Sequence, residues 1–188
     1  MALKRLVIDG FGQLELNNVA FRRDGRIEAQ CALDSTDFAS VPAENGMLLA
    51  VDNVNRVVKF ADDASLPIAL NYTTEHMYDE RTPGLKNFRL ESGTFLPRLG
   101  YLSVGDKFTT NCVSYDSAKD STWTSDAEFK KALAKDKLAT TPVYGGISAD
   151  GSIAVSATKP SAGPVLLVVA ATTMPDGQFG IKFQALTV

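Results

Sequence analysis

The chain has 188 residues, 45% of them hydrophobic and 22% charged, with a formal net charge of −3. That balance supports a packed core and excludes disorder as the dominant state. Mild acidity argues against a large phosphate-binding surface, and a single histidine, His76, excludes multi-histidine metal sites.

The N-terminal stretch Met1–Asp9 meets Lys4 and Arg5 after three residues. It therefore lacks the apolar centre of a signal peptide, and the expectation is a soluble protein made in a cytoplasm. Leu3–Asp9 reads as a short terminal strand whose edge can extend a partner's sheet. Deleting residues 1–9 should then abolish partner binding and leave the melting temperature nearly unchanged.

Further along, Ile27, Ala29, Cys31 and Leu33 alternate with Arg26, Glu28 and Gln30. Alternation of this kind predicts a strand with one buried face. It starts just after Asp24-Gly25, a dipeptide that supplies the positive φ angles of a tight turn, so a hairpin with Val19–Phe21 is expected. Met47–Asp52 and Arg56–Phe60 form a second predicted pair, turned at Asn53–Asn55. Asn71-Tyr72-Thr73 matches a glycosylation sequon, read as incidental without a secretory signal.

The most polar stretch is Thr74–Arg81, with a short helical turn expected near Thr74–Tyr78. Glu75, His76 and Asp79 invite a metal or acid–base reading. Adjacent Glu and His diverge on a helix, however, and no second histidine completes a shell. A loop holding Glu75, His76, Met77, Tyr78 and Arg81 fits a protein contact better, because aromatic, methionine and arginine side chains anchor interfaces. Ser92 to Pro97 marks a candidate boundary. It gives either an N-terminal β subdomain at 1–92 and a C-terminal one at 93–188, or one continuous domain.

Beyond it, Gly105-Asp106 introduces a strand at Lys107–Val113 that carries Cys112. Cys31 and Cys112 are the only cysteines, and both are expected as buried free thiols. Asp116–Asp120 lacks calcium-loop spacing, and Asp62-Asp63 reads as a pair for a hard cation or, equally well, as an exposed turn. Trp123 lies in a polar loop, where it either packs on the following helix near Phe129 or anchors a partner. Ser125-Asp126-Ala127-Glu128 is a capping box, and it starts a short helix near 125–137 whose lysines form a solvated face. Val143–Ile147 and Ser152–Ala157 flank Asp150-Gly151, a third turn signal. Gly145-Gly146 reads as a bulge or a close backbone approach rather than a ligand cradle. Val165–Val169 lacks alternation and predicts a strand covered on both faces. Asp176-Gly177 then joins Leu166–Thr172 to Phe179–Ala185.

The expected fold is mainly β, a sandwich or barrel-like arrangement with one short helix. No nucleophile elbow, phosphate loop or dinucleotide fingerprint occurs. No catalytic residue, cofactor or metal is therefore expected.

Val41-Pro42-Ala43-Glu44-Asn45-Gly46-Met47-Leu48-Leu49-Ala50-Val51-Asp52 is followed by Arg56-Val57-Val58-Lys59-Phe60 and then Leu66-Pro67-Ile68-Ala69-Leu70. This order resembles the head-decoration (cement) proteins of tailed bacteriophages. These carry a small-residue turn, a strand ending in an acidic residue, a short return strand and a Pro-apolar-small strand. The stretch Phe95–Asn111 has the general look of a phage virion protein. The resemblance implies a virion subunit on the outer capsid surface, stabilising the expanded head against internal DNA pressure. Its partners would be the major capsid protein and neighbouring copies of itself, with no direct nucleic acid or membrane contact. Other readings are a tail-tube, head-completion or head-fibre component, or a sandwich module for carbohydrate or a host surface using Trp123, Tyr78 and Tyr115. An enzyme would have to rely on His76.

Overall fold

Alternating segments do become strands, and the turns between them decide which strands meet. The computed structural model describes residues 3–62, 64–73 and 84–188. Its strands, numbered along the chain, fall into two mixed sheets in a sandwich-like arrangement. The first sheet has eight strands in the order β1 (Leu3–Arg5), β10 (Val113–Asp116), β12 (Ile153–Ser156), β11 (Tyr144–Gly146), β13 (Val165–Thr173), β14 (Phe179–Thr187), β9 (Lys107–Thr110) and β2 (Leu14–Asn18). The second has six, in the order β3 (Ile27–Glu28), β8 (Leu99–Gly100), β7 (Ile68–Asn71), β5 (Leu48–Asp52), β6 (Val57–Phe60) and β4 (Ala32–Leu33). Neighbours are antiparallel except β10–β12 and β4–β6.

The core lies between the sheets and on the far side of β5. Leu48 and Leu70 of the six-stranded sheet pack into the same cluster as Phe108, Ile181 and Phe183 of the eight-stranded one. Leu49 and Val51, on the opposite face of β5, join Met47, Val58, Leu90 and Leu99 in a second cluster. All five residues of β5 are buried, as befits an interior strand covered on both faces. Division of the chain at 92/93 does not coincide with the division between sheets. β1 and β2 belong to the sheet built mostly from later strands, and β8 belongs to the one built from earlier strands.

Three turn signals form hairpins at the expected places. β5 pairs with β6 with Asp52 opposite Val57. β11 pairs with β12 around Gly151, whose φ is 76°. β13 pairs with β14 around Gly177, whose φ is 89°.

Asp24-Gly25 does not form a hairpin. Ala20–Asp24 is instead a short helix, α1, and Gly25 ends it in the left-handed conformation, its N–H donating to the Phe21 carbonyl. A helix terminus and a hairpin turn both need positive φ, so the dipeptide alone does not distinguish them. Phe21 decides, because it is fully buried and a Cβ at Gly100 would lie 2.4 Å from its ring.

The predicted strand over 26–33 also divides. Glu28 Oε1 accepts the N–H groups of Gln30 (2.5 Å) and Cys31 (3.1 Å), which turns the chain. β3 and β4 then sit on opposite edges of their sheet, with Cys31 and Leu33 buried but Ile27 and Ala29 exposed. Lys107–Val113 breaks in the same manner. Thr110 Oγ1 accepts from the Cys112 N–H at 3.0 Å, separating β9 from β10. Cover on both faces of β13 ends at Val168. A bulge follows, and Val169 is 37% exposed.

The capping box starts α2 (Asp126–Ala132), where Ser125 accepts from the Glu128 N–H. A second short helix, α3 (Lys135–Leu138), follows at once. β1 is no spare strand. It pairs with β10, Leu6 N–H donates to the Val113 carbonyl at 3.0 Å, and Leu6 is 1% exposed. Removing residues 1–9 thus takes away core, and the expectation of an unchanged melting temperature is corrected. The helical turn expected near Thr74–Tyr78 lies outside the described residues.

Candidate functional site

Glu75, His76, Met77, Tyr78 and Arg81 fall outside the described residues. Trp123 is described, and it is buried. Its ring lies 5.4 Å from that of Phe129, which stacks on Tyr115 at 4.7 Å. The local reason is the loop before α2, where the Trp123 N–H donates to the Asp120 carbonyl at 2.8 Å and turns the indole inward. Tyr115 Oη donates to Asp126 Oδ1 at 3.0 Å. Burial first, then this carboxylate, push the phenol up to about 12. The phenol therefore stays neutral and belongs to the core.

The most developed polar constellation joins four distant points of the sequence. Arg5 ends β1, Glu44 precedes β5, Cys112 sits between β9 and β10, and Asp150 lies in the β11–β12 turn. Arg5 Nη2 donates to Glu44 Oε2 at 2.6 Å and to Cys112 Sγ at 3.3 Å. The same Glu44 oxygen accepts the Gly12 N–H at 2.5 Å. Asp150 Oδ1 accepts from the hydroxyls of Ser148 and Ser152, each at 2.6 Å. Ser152 also meets Ser114 at 2.8 Å. This joint ties the loop entering the six-stranded sheet to the eight-stranded sheet.

Electrostatics show what the joint can do. Burial disfavours the Arg5 charge, but the Cys112 sulfur, Glu44 and Asp150 outweigh it and raise the guanidinium pKa. Burial pushes the Cys112 thiol up to about 12, with only partial relief from Arg5. At neutral pH it is therefore a protonated thiol and no nucleophile. Burial alone would raise the Asp150 carboxyl; the Ser148 and Ser152 hydroxyls, the Ser152 N–H and Arg5 hold it lower than an ordinary aspartate. Above the joint lies an open depression of about 410 Å³, lined by Leu6, Val7, Ile8, Gly10 and Val41 as well as the three charged groups. Val7 is 77% exposed and Val41 43%. Exposed apolar side chains thus lie beside a fixed charge cluster.

The remaining sequence candidates resolve into local structure. Asp116 accepts the N–H groups of Ala118 and Lys119, and Asp120 accepts that of Ala157. Of the two readings of Gly145, the structure has the close approach, since a Cβ there would stand 2.7 Å from Ile153 Cγ2. Asn71 of the sequon is fully buried and donates to the Glu44 carbonyl. Both cysteines are free and buried. Among the described residues no group of three or more His, Cys, Asp or Glu side chains could hold a metal ion, and no helix is long and apolar enough to cross a membrane.

The Arg5–Glu44–Cys112–Asp150 joint had no local signal in the sequence. Glu44 lies in the segment that carries the resemblance, Asp150 in a turn signal and Cys112 on a predicted strand, but they are separated by dozens of residues and no local pattern joins them. Comparisons with protein-family models, curated proteins and solved structures found no match to this chain.

Proposed function

We propose that the chain is a virion structural protein, a decoration subunit that binds the outer surface of a tailed-phage capsid and stabilises the filled head. Its partner is the major capsid protein, and its place is the virion surface after synthesis in the host cytoplasm. The role is mechanical rather than enzymatic. The observation that carries this reading is the order of segments over 41–70, similar to that of cement proteins, which the chain folds as β5, β6 and β7 at the centre of one sheet. The depression flanked by Val7 and Val41 supplies an exposed apolar surface for the capsid contact. A carbohydrate platform is less well supported. Of the three aromatics it would use, Trp123 and Tyr115 are buried, and Tyr78 is outside the described residues.

Density-gradient sedimentation of a lysate from the producing cell tests the proposal. The chain should travel with DNA-filled heads in many copies. Travel with tails would replace this reading by the tail-component one, and a wholly soluble chain would end both.

A further inference from the structure

One dipeptide combines chemical lability with complete burial. Asn45-Gly46 is the only Asn-Gly step in the sequence. A glycine after asparagine leaves the backbone nitrogen unshielded by any Cβ, so that nitrogen can reach the asparagine side-chain amide. The glycine is not exchangeable here. Gly46 has φ 90°, and a Cβ on it would overlap the Thr110 hydroxyl. The fold therefore demands the very residue that makes Asn45 labile.

In the folded chain the step is clamped. Asn71, fully buried at the end of β7, grips it at three points. Its carbonyl accepts the Gly46 N–H at 2.9 Å, its N–H donates to the Met47 carbonyl at 2.8 Å, and its side-chain amide donates to the Glu44 carbonyl at 2.9 Å. The attacking nitrogen is thus engaged, and the backbone on both sides of it is fixed. From the other side, Gly12 packs so closely that a Cβ on it would lie 2.8 Å from the Asn45 carbonyl oxygen. Asn45 itself is fully buried.

The same position has no room for the product. Among the described residues the Asn45 amide has no hydrogen-bond partner at either end. A carboxylate there would be a buried charge without a donor. Arg5, the cation of the adjoining joint, is taken up by Glu44 and Cys112. An isoaspartate would in addition lengthen the backbone by one carbon where it packs against Gly12 and Thr110.

We propose that Asn45 is a self-modification site which the fold holds silent, and that its deamidation makes unfolding irreversible. When the entry to β5 opens, the Gly46 nitrogen gives its proton to hydroxide and attacks Asn45 Cγ. The new C–N bond closes a five-membered imide, the Cγ–Nδ2 bond breaks, and the released nitrogen takes a proton from water and leaves as ammonia. Water then opens the imide to aspartate or isoaspartate. Chemical change in the unfolded chain is one route by which a protein leaves its folding equilibrium for good. The inference concerns the fold and does not rest on capsid binding.

The test compares the full chain in native buffer and in guanidinium chloride at the same mildly alkaline pH. Peptide mass mapping follows the replacement of the amide nitrogen by oxygen at Asn45. The reaction should run at least about 100-fold more slowly in the folded chain, because there it waits on a rarely populated open state. Chain aged in denaturant is then returned to native buffer and separated by size exclusion. Molecules that regain the native elution volume should carry several-fold less modified Asn45 than those that do not. Asn45→Asp, the aspartate product made directly, should melt well below wild type. Equal rates in the two states, equal modification in the two size-exclusion fractions, or an Asn45→Asp melting temperature equal to wild type would each overturn the proposal.

Discussion

Asp150 makes the buried joint sensitive to acid. Its folded pKa is lowered, by two serine hydroxyls, a backbone N–H and Arg5 acting against burial. A carboxylate lowered by folding adds stability that is fully present above its unfolded pKa of ~3.9 and is lost as pH falls through the folded value. The Asp150→Asn protein should therefore be less stable than wild type at neutral pH. It should also lose part of the decline in stability that the wild type shows below about pH 4. Urea unfolding at a series of pH values measures both, and superimposable acid limbs for the two proteins would contradict the assignment. Single residues were legible in the sequence where the cue was local. Ser125 and Glu128 announced a helix start, and Cys31 and Cys112 announced buried thiols. Asp150 was legible only as part of a turn, and nothing local linked it to Arg5 and Glu44, because what unites them is tertiary.

At the level of elements, turn chemistry was readable but ambiguous. Asp150-Gly151 and Asp176-Gly177 close hairpins, whereas Asp24-Gly25 ends α1, since positive φ serves both and only the burial of Phe21 selects the helix. Likewise, alternation predicted one strand over 26–33, but the Glu28 side chain captures two backbone donors and divides it. Gly145 offers a sharp test of β11. A methyl group there would meet Ile153 Cγ2 at 2.7 Å and Phe183 Cε1 at 2.9 Å, both from strands packed around it. Gly145→Ala should cost about 1–3 kcal/mol by overpacking, read as a lowered urea midpoint with an unchanged slope. A midpoint equal to wild type would show that β11 can shift and that the packing is looser than described.

For the whole molecule, the sheets interleave early and late segments. β1 and β2 enter the sheet of β9 to β14, and β8 returns to the sheet of β3 to β7. This was the least legible feature, because strand order depends on long-range pairing rather than on periodicity. The N-terminal segment shows the consequence. Leu6 is 1% exposed, and Arg5 anchors the joint. Deleting residues 1–9 should lower the melting temperature sharply, and Leu6→Ala alone should cost about 2–5 kcal/mol. Calorimetry of both variants checks this, and melting temperatures equal to wild type would return Leu3–Asp9 to the status of a dispensable arm.

We propose that this interleaved sandwich is a capsid-bound structural subunit. The most direct measurement is the amount of the 20.2 kDa chain relative to the major capsid protein in gradient-purified, DNA-filled heads. A decoration subunit should hold a constant ratio from one preparation to the next, corresponding to many copies per head. Its absence from those heads, with the whole pool left in the soluble fraction, would exclude a place on the capsid.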